Sequence, residues 1–167
     1  DNLGENLLTV RTAATFLGRG VAAVDLAGAE ALYPTADFAD VFGFAKELGV
    51  PFTIHAGEAD GPESIQAALA FGASRIGHGV RAAEDPELFA RLKEQQIPLE
   101  MCPSSNVQTK AVATLAEHPV LDFLRRGLKV TINTDNMTVS DTTIEKEFGL
   151  LSRELGMTTE ERKTLLL

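Results

Sequence analysis

A short apolar run that ends in side chains able to do chemistry is the most informative feature of the sequence. It is Pro51-Phe52-Thr53-Ile54-His55-Ala56-Gly57-Glu58. The same pattern returns in Arg75-Ile76-Gly77-His78-Gly79 and in Lys129-Val130-Thr131-Ile132-Asn133-Thr134-Asp135-Asn136. In a barrel of parallel strands, the carboxyl ends converge on one face, and that face holds the active site. We therefore expect these three distant segments to meet around one pocket.

Short strand-like runs alternate with helical patterns along the whole chain. The strands are predicted at Val21–Leu26, Pro51–His55, Arg75–Gly77, Ile97–Met101 and Lys129–Asn133. The helices are predicted at Thr9–Leu17, Asp37–Leu48, Pro62–Phe71, Pro86–Glu94, Pro119–Arg126, Asp141–Leu155 and Thr159–Leu167. Gly49 and Gly72 stand where helices end in a left-handed cap. This alternation is typical of parallel βαβ units.

The predicted fold class is α/β, with residues 1–167 forming a single domain that is part of a (β/α)8 barrel. A complete barrel needs roughly 250 residues, so five strands make about five-eighths of one. The alternative is a small doubly wound sheet, which five strands would complete. Against it, no glycine-rich phosphate turn follows the first strand. A partial sheet leaves unpaired edges, so we expect self-association or pairing with a missing N-terminal part of the barrel.

Composition excludes several classes of partner. The chain has 167 residues, 44% of them hydrophobic and 23% charged, which is typical of a globular protein. No apolar run is long enough to span a membrane. A net charge of -9 argues against nucleic-acid binding. The chain opens at Asp1 without a signal-peptide layout, so we expect a segment of a longer protein. The single cysteine, Cys102, suits a cytoplasmic location.

The strand-end residues carry weight together rather than singly. His55 and Glu58 lie three residues apart, so a ring nitrogen could face a metal while the carboxylate reaches a bound water or the substrate. Alone, these two would fit an ordinary polar turn, His78 a hydrogen-bonded structural histidine, and Asp135 a turn or cap. Their conjunction at three strand ends favours a metal-dependent hydrolytic site.

Five motifs resemble the adenosine deaminase family, and the resemblance runs from about residue 21 to residue 155. They are Asp25-Leu26-Ala27-Gly28-Ala29-Glu30, His55-Ala56-Gly57-Glu58, Ile76-Gly77-His78-Gly79, Cys102-Pro103-Ser104-Ser105-Asn106 and Asn133-Thr134-Asp135. The resemblance implies a metal-dependent hydrolase barrel, of which this chain is the C-terminal part. It also implies zinc-dependent deamination of adenosine to inosine, a step of purine salvage, with a purine nucleoside as the small-molecule partner.

The resemblance also implies a role for each matching residue. His55 and Asp135 would bind Zn²⁺, which lowers the pKa of bound water toward about 7. Glu58 would protonate N1 of the purine while hydroxide attacks C6, a proton-transfer role suited to a carboxylate. His78 would orient and stabilise the attacking hydroxide. The single cysteine cannot supply the Pro-Cys-x-x-Cys signature of the other zinc deaminases.

Substrate contacts are implied for Gly28, whose backbone would meet purine N3, and for Asn136, which would meet N7. The family commonly has an aspartate at the latter position, and an amide can donate to N7 where an ionised carboxylate cannot. A second departure is the lack of the family's His-x-His pair. A catalytic zinc usually takes three protein ligands. We therefore expect the isolated segment to be inactive.

Other interpretations stay open at this point. The parent protein could be a related purine deaminase, such as an adenine deaminase, or another hydrolase or isomerase on a similar barrel. The chain could also be a noncatalytic half-barrel scaffold. Among the remaining polar residues, we expect Cys102 to be small and buried, His118 to be structural or exposed, and Asn106 to cap a turn or line the pocket rim.

Overall fold

A computed structural model describes residues 2–166 and contains one parallel sheet of five strands. The strands are β1 (Val24–Leu26), β2 (Phe52–Ala56), β3 (Arg75–His78), β4 (Leu99–Met101) and β5 (Val130–Ile132). Their order in the sheet is the order of the chain, and every hydrogen-bonded pair is parallel. A doubly wound sheet would reverse its order at a switch point. The partial barrel is therefore confirmed and the doubly wound alternative is wrong.

Helices connect the strands, as the alternation predicts. They are α1 (Leu3–Phe16), α2 (Ala39–Glu47), α3 (Pro62–Phe71), α4 (Pro86–Gln95), α5 (Pro103–Gln108), α6 (Val120–Arg125), α7 (Ile144–Glu154) and α8 (Thr159–Leu166). The predicted helices are all present within a few residues, and Leu167 lies outside the described residues. Gly49 and Gly72 have φ of 66° and 90°, so both take the left-handed conformation expected after a helix.

Two starting residues and one extra helix are the main differences from the prediction. The first helix begins at Leu3, six residues earlier than its apolar pattern indicates. The first strand begins only at Val24, because Val21 forms an isolated bridge with Leu17 instead. The short helix α5 follows β4 directly, with Pro103 at its first position, and was not predicted.

The two faces of the sheet differ in chemistry. One face is apolar and fully buried under the helices, with Ile54, Ile76 and Leu99 all 0% exposed. The other face is mostly polar, and its residues other than buried Gly77 are at least partly exposed. Its members, taken from the strand register, are Asp25, Thr53, His55, Arg75, Gly77, Glu100 and Thr131. This second face carries His55 near the end of β2, whereas His78 at the end of β3 pairs with buried Ala56.

The outer strands β1 and β5 each have one strand neighbour among residues 2–166. Their free edges are where a barrel of this type would continue. Across the same residues, no helix is both long and apolar enough to cross a lipid bilayer.

Candidate active site

Three of the predicted residues meet at the carboxyl ends of β2 and β3. One ligand atom from each of His55, Glu58 and His78 lies within 4.8 Å of the other two, and within residues 2–166 no other group of this kind forms. The Nδ1 atom of His55 is 3.3 Å from Nε2 of His78, and the rings meet edge to face. The same Nε2 atom is 3.4 Å from Oε2 of Glu58. The predicted convergence of two strand ends is thus confirmed.

Glycine makes room for this packing. Gly77 pairs with His55 in the β2–β3 register. A Cβ atom built on Gly77 would lie 2.6 Å from Cδ2 of the His55 ring and 3.1 Å from its Cα. No real Cβ atom approaches another atom so closely, so a side chain at this position would displace His55. The backbone conformation of Gly77 is not left-handed, so glycine is required here only because a side chain would have no space.

His55 is held on its other side by Asp25 of β1. Its Nε2 atom lies 3.2 Å from Oδ2 of Asp25, and its side chain is 25% exposed. Burial lowers the pKa of His55, but the hydrogen bond and charge of Asp25, together with the charges of Glu58 and Asp135, outweigh burial, so the pKa lies above its ordinary value. The sequence includes Asp25 in a family motif without assigning it this contact.

Glu58 is fixed by donors on both carboxylate oxygens. Its Oε1 atom accepts hydrogen bonds from Thr109 Oγ1 at 2.9 Å and from Asn106 Nδ2 at 3.3 Å. Its Oε2 atom faces His78, as described above. The side chain is 17% exposed, so it is shielded yet still reaches the cleft.

The turn that carries Glu58 is clamped by a second, buried glutamate. The Glu30 carboxylate accepts the backbone N–H groups of Gly57 at 2.7 Å, Glu58 at 3.1 Å and Ala59 at 2.7 Å. Burial raises the pKa of Glu30, but hydrogen bonds from Ser64 and from these backbone groups outweigh it, so the pKa lies below its ordinary value. Glu30 therefore acts as an anion bound in a backbone cradle.

His78 is almost fully buried, with its side chain 2% exposed, and its Nδ1 atom is 3.0 Å from Asn106 Nδ2. Burial lowers the pKa of His78 below its ordinary value, against the opposing charge of Glu58. Asn106 is 0% exposed and lies 3.1 Å from Nε2 of His118, which is 4% exposed. Burial and the nearby His78 lower the pKa of His118 to about 4. His118 is thus structural, as one of the two expectations has it, and not exposed.

The other predicted residues lie at the rim of the cleft. Asp135 lines a depression together with His55, His78 and Cys102, and its Oδ2 atom accepts a hydrogen bond from Ser105 Oγ at 2.7 Å. It stands outside the cluster of three, on an exposed loop where its own φ is 54°. Predicted as a metal ligand, it is placed beside the cluster rather than within it.

Gly28 follows β1 and Asn136 follows β5, the two outer strands of the sheet. Gly28, with φ of 146°, lines a depression of about 70 Å³ that also borders His55. Asn136 is exposed, and its Oδ1 atom accepts the backbone N–H groups of Thr138 and Val139 at 3.1 Å and 3.0 Å. Its amide nitrogen is then the group left to face a ligand. Their substrate contacts stay predictions.

Cys102 is buried, as expected, with 5% exposure. Burial, with the charges of Asp135 and Glu58, raises the pKa of its thiol to about 12. A thiol with so high a pKa is a poor nucleophile near neutral pH. Sequence reasoning did not find the positions that support the site, namely Asp25, Glu30 and Thr109.

Known proteins are similar to this chain in both sequence and fold. Residues 5–166 match the family model described as adenosine deaminase. An adenosine deaminase of Haemophilus ducreyi is 54% identical over 170 residues, which cover 100% of this chain and 49% of that protein. The chain therefore spans about half the length of the curated relatives it matches.

Two solved structures resemble the fold of this chain closely. An adenine deaminase from Arthrobacter aurescens has a TM-score of 0.89 at 33% identity, over 96% of this chain and 50% of that one. An amidohydrolase with bound Zn from Burkhoderia ambifaria has a TM-score of 0.89 at 24% identity, over 99% of this chain and 47% of that one, which shows the fold alone. With its site motifs, its fold and its matched residues in agreement, the chain belongs to the adenosine deaminase family.

Proposed function

We propose that this chain supplies five βα units of a zinc-dependent adenosine deaminase that hydrolyses adenosine to inosine and ammonia. The observation that carries the proposal is the meeting of His55, Glu58 and His78 within 4.8 Å in a member of this family. The setting we propose is purine salvage in the cytoplasm.

The donor set of the cleft fits zinc. Imidazole nitrogens and carboxylate oxygens are the ligands of catalytic zinc sites, and the cleft offers both. We propose that His55 and Asp135 hold the ion, and that the remaining ligands come from the part of the barrel that the relatives have and this chain does not span. When bound, zinc would lower the pKa of water to about 7 and so supply a nucleophile at neutral pH.

Glu58 is the proposed proton carrier. Its carboxylate is held by Asn106, Thr109 and the turn that Glu30 clamps, so the proton it carries would be delivered at a fixed position. Protonation of purine N1 makes C6 a better electrophile. Once the oxygen has added to C6, the same carboxylate can take the proton from that oxygen and pass it to the amino group, so that the C6–N bond breaks and ammonia leaves. The fixed geometry suits this role because proton transfer requires hydrogen-bond distance to the substrate.

His78 is the proposed orienting group. Its Nε2 atom lies near Glu58 and His55, and we propose that an N–H at this atom donates to the oxygen on which charge develops during attack on C6. The low pKa of His78 keeps the ring neutral near pH 7. Gly28 and Asn136 are the proposed contacts to purine N3 and N7 across the cleft.

Residues 1–167 alone are proposed to be inactive. The open edges of β1 and β5 are proposed to pair with the rest of the barrel, or with a second copy when that part is missing. Light scattering and metal analysis of the purified chain test this. We expect association and little zinc; a monomer with one zinc per chain and activity on adenosine would contradict it.

The direct test of the function follows the absorbance of adenosine with the full-length protein, with and without a chelator. We expect turnover that the chelator abolishes and that zinc restores. Glu58→Gln is the matched control, because it removes the proton carrier and keeps the shape of the side chain. Turnover that a chelator leaves unchanged would overturn the proposal.

A second candidate is deamination of the free base, favoured by the 33% identity to the adenine deaminase structure. Adenine and adenosine compared as substrates at equal concentration separate the two. Rapid turnover of adenine with none of adenosine would establish the second candidate, while the absence of turnover with either would favour a noncatalytic scaffold.

A further inference from the structure

A chain of buried hydrogen bonds leads from helix α6 to the centre of the cleft. It starts at the backbone N–H of Val120, which donates to Nδ1 of His118 at 3.3 Å. It continues from Nε2 of His118 to Oδ1 of Asn106 at 3.1 Å, and from Nδ2 of Asn106 to Nδ1 of His78 at 3.0 Å. We call these three side chains the His118–Asn106–His78 relay.

The direction of the relay is set at its outer end. A backbone N–H can only donate, so Nδ1 of His118 must carry a lone pair, and the proton of the neutral ring stands on Nε2. That N–H then donates to Oδ1 of Asn106. The backbone N–H of Cys102 donates to the same oxygen at 3.3 Å, so two donors agree on which end of the amide is the oxygen.

The inner end follows from the orientation of the amide. Both hydrogens of Asn106 Nδ2 are used, one toward Glu58 Oε1 at 3.3 Å and one toward His78 Nδ1. Nδ1 of His78 is therefore an acceptor, and the proton of His78 stands on Nε2, which faces the cleft. If the Asn106 amide were flipped, its NH2 group would face the Cys102 N–H, donor against donor, and its oxygen would face the Glu58 carboxylate, acceptor against acceptor. The flipped orientation is therefore disfavoured.

We propose that His118 is a positioning residue, which acts through Asn106 to hold His78 in the tautomer that donates from Nε2 into the cleft. This proposal rests on the proposed deamination only for the use of that N–H, since the tautomer itself follows from the buried hydrogen bonds. His118 is buried, and its hydrogen bonds run to Asn106 and to the Val120 backbone. Its contribution is to decide where the proton of His78 stands.

The test measures the tautomer directly. Long-range 1H–15N correlation spectra of the chain labelled with 15N-histidine, recorded with chelator present, report which ring nitrogen carries the proton. We expect the Nε2–H form for both His78 and His118. His118→Phe should give His78 as a mixture of tautomers, whereas His118→Gln, whose amide nitrogen replaces the Nε2 donor, should restore the Nε2–H form.

A second variant covers the case in which His118→Phe does not fold. Asn106→Asp places an acceptor opposite His78 Nδ1, so it should drive His78 to the Nδ1–H form. An Nδ1–H tautomer of His78 in the unchanged chain, or an unchanged tautomer in both variants, would overturn the relay.

Kinetics of the full-length protein separates the relay from the proposed function. His118→Phe should lower kcat on adenosine about 10-fold with KM little changed, and His118→Gln should recover most of it. A tautomer that moves in a protein without deaminase activity would support the relay and refute the function. Full activity with a mixed tautomer would refute the positioning role.

Discussion

The two sides of the cleft differ in how firmly the chain holds their side chains. At β2 and β3, Glu58 and His78 are 17% and 2% exposed, and buried Asn106 bonds to both. On the loop after β5, Asp135 and Asn136 are exposed; Asp135 accepts a hydrogen bond from buried Ser105, and Asn136 accepts hydrogen bonds from the backbone of its own turn. Within this chain, the groups proposed to transfer and orient protons are therefore enclosed, whereas Asp135 and Asn136, proposed to bind zinc and to contact the purine, are exposed.

The largest effect should come from Glu58, on the β2–β3 side of the cleft. Glu58→Gln in the full-length protein should lower kcat by about 10²–10⁴-fold, because general acid–base catalysis is typically worth that much. Zinc content, measured on the same samples, should stay unchanged. His55→Ala should instead lose the metal. If Glu58→Gln strips zinc and His55→Ala keeps it, the two roles are reversed.

A substitution at Gly77 disturbs the β2–β3 side of the cleft without removing any functional group. Gly77→Ala forces the His55 ring away from its place, and a shift of about 1 Å can cost about 100-fold in rate. The measurement is kcat/KM on adenosine, with zinc content alongside. Gly43→Ala is the matched control, because a Cβ there meets nothing within 4 Å. Equal activities for the two variants would show that His55 tolerates displacement.

The clamp at Glu30 should appear in stability and in its dependence on pH. Glu30→Gln loses charge-assisted hydrogen bonds to the backbone, each worth about 1.5–3 kcal/mol, and leaves one amide hydrogen facing another donor. The folded pKa lies below its ordinary value, so this stabilisation is present above that value and disappears as the pH falls through the folded pKa. Urea unfolding should show a large difference near pH 7 that shrinks in acid. A difference independent of pH would contradict the clamp.

The smallest effect is expected at Asn136, on the exposed loop after β5. Asn136→Asp keeps an acceptor for the turn at Thr138 and Val139 and, when protonated, can donate to purine N7, whereas Asn136→Leu loses both the turn contacts and the proposed contact to N7. The Leu variant should lose about 1 kcal/mol more in kcat/KM than the Asp variant, the lower end of the range for an unpaired polar group, because the side chain is exposed. Comparable values for the two would show that Asn136 does not contact the purine.

The strand-end residues can be predicted from the sequence because their side chains are chemically reactive and follow apolar runs. His55, Glu58 and His78 each follow an apolar run, and parallel strands place such ends together. The supporting residues are harder to foresee. Glu30 reaches a turn 27 residues further along the chain, and a lone glutamate in a loop carries no sign of such a contact.

The buried relay was beyond prediction for a similar reason. His118 precedes a proline at a helix start, a position that suits a surface residue as well as a buried one. Its burial depends on how α6 packs over the sheet, and packing of this kind depends on the whole structure rather than on local sequence. The helix α5 was missed because six residues are too few to show helical periodicity.

The order of the strands also has a consequence for how the chain folds. Each of β2 to β5 pairs with the strand before it in sequence, so these four pairings join neighbouring segments of the chain, and the entropy lost in closing each loop stays modest. We expect the amides of β2 and β3 to gain protection from hydrogen exchange together and early, before those of α8. Protection of α8 ahead of β2 and β3 would contradict this order. The histidine and glutamate cluster could then form during synthesis, while the last helices are still unmade.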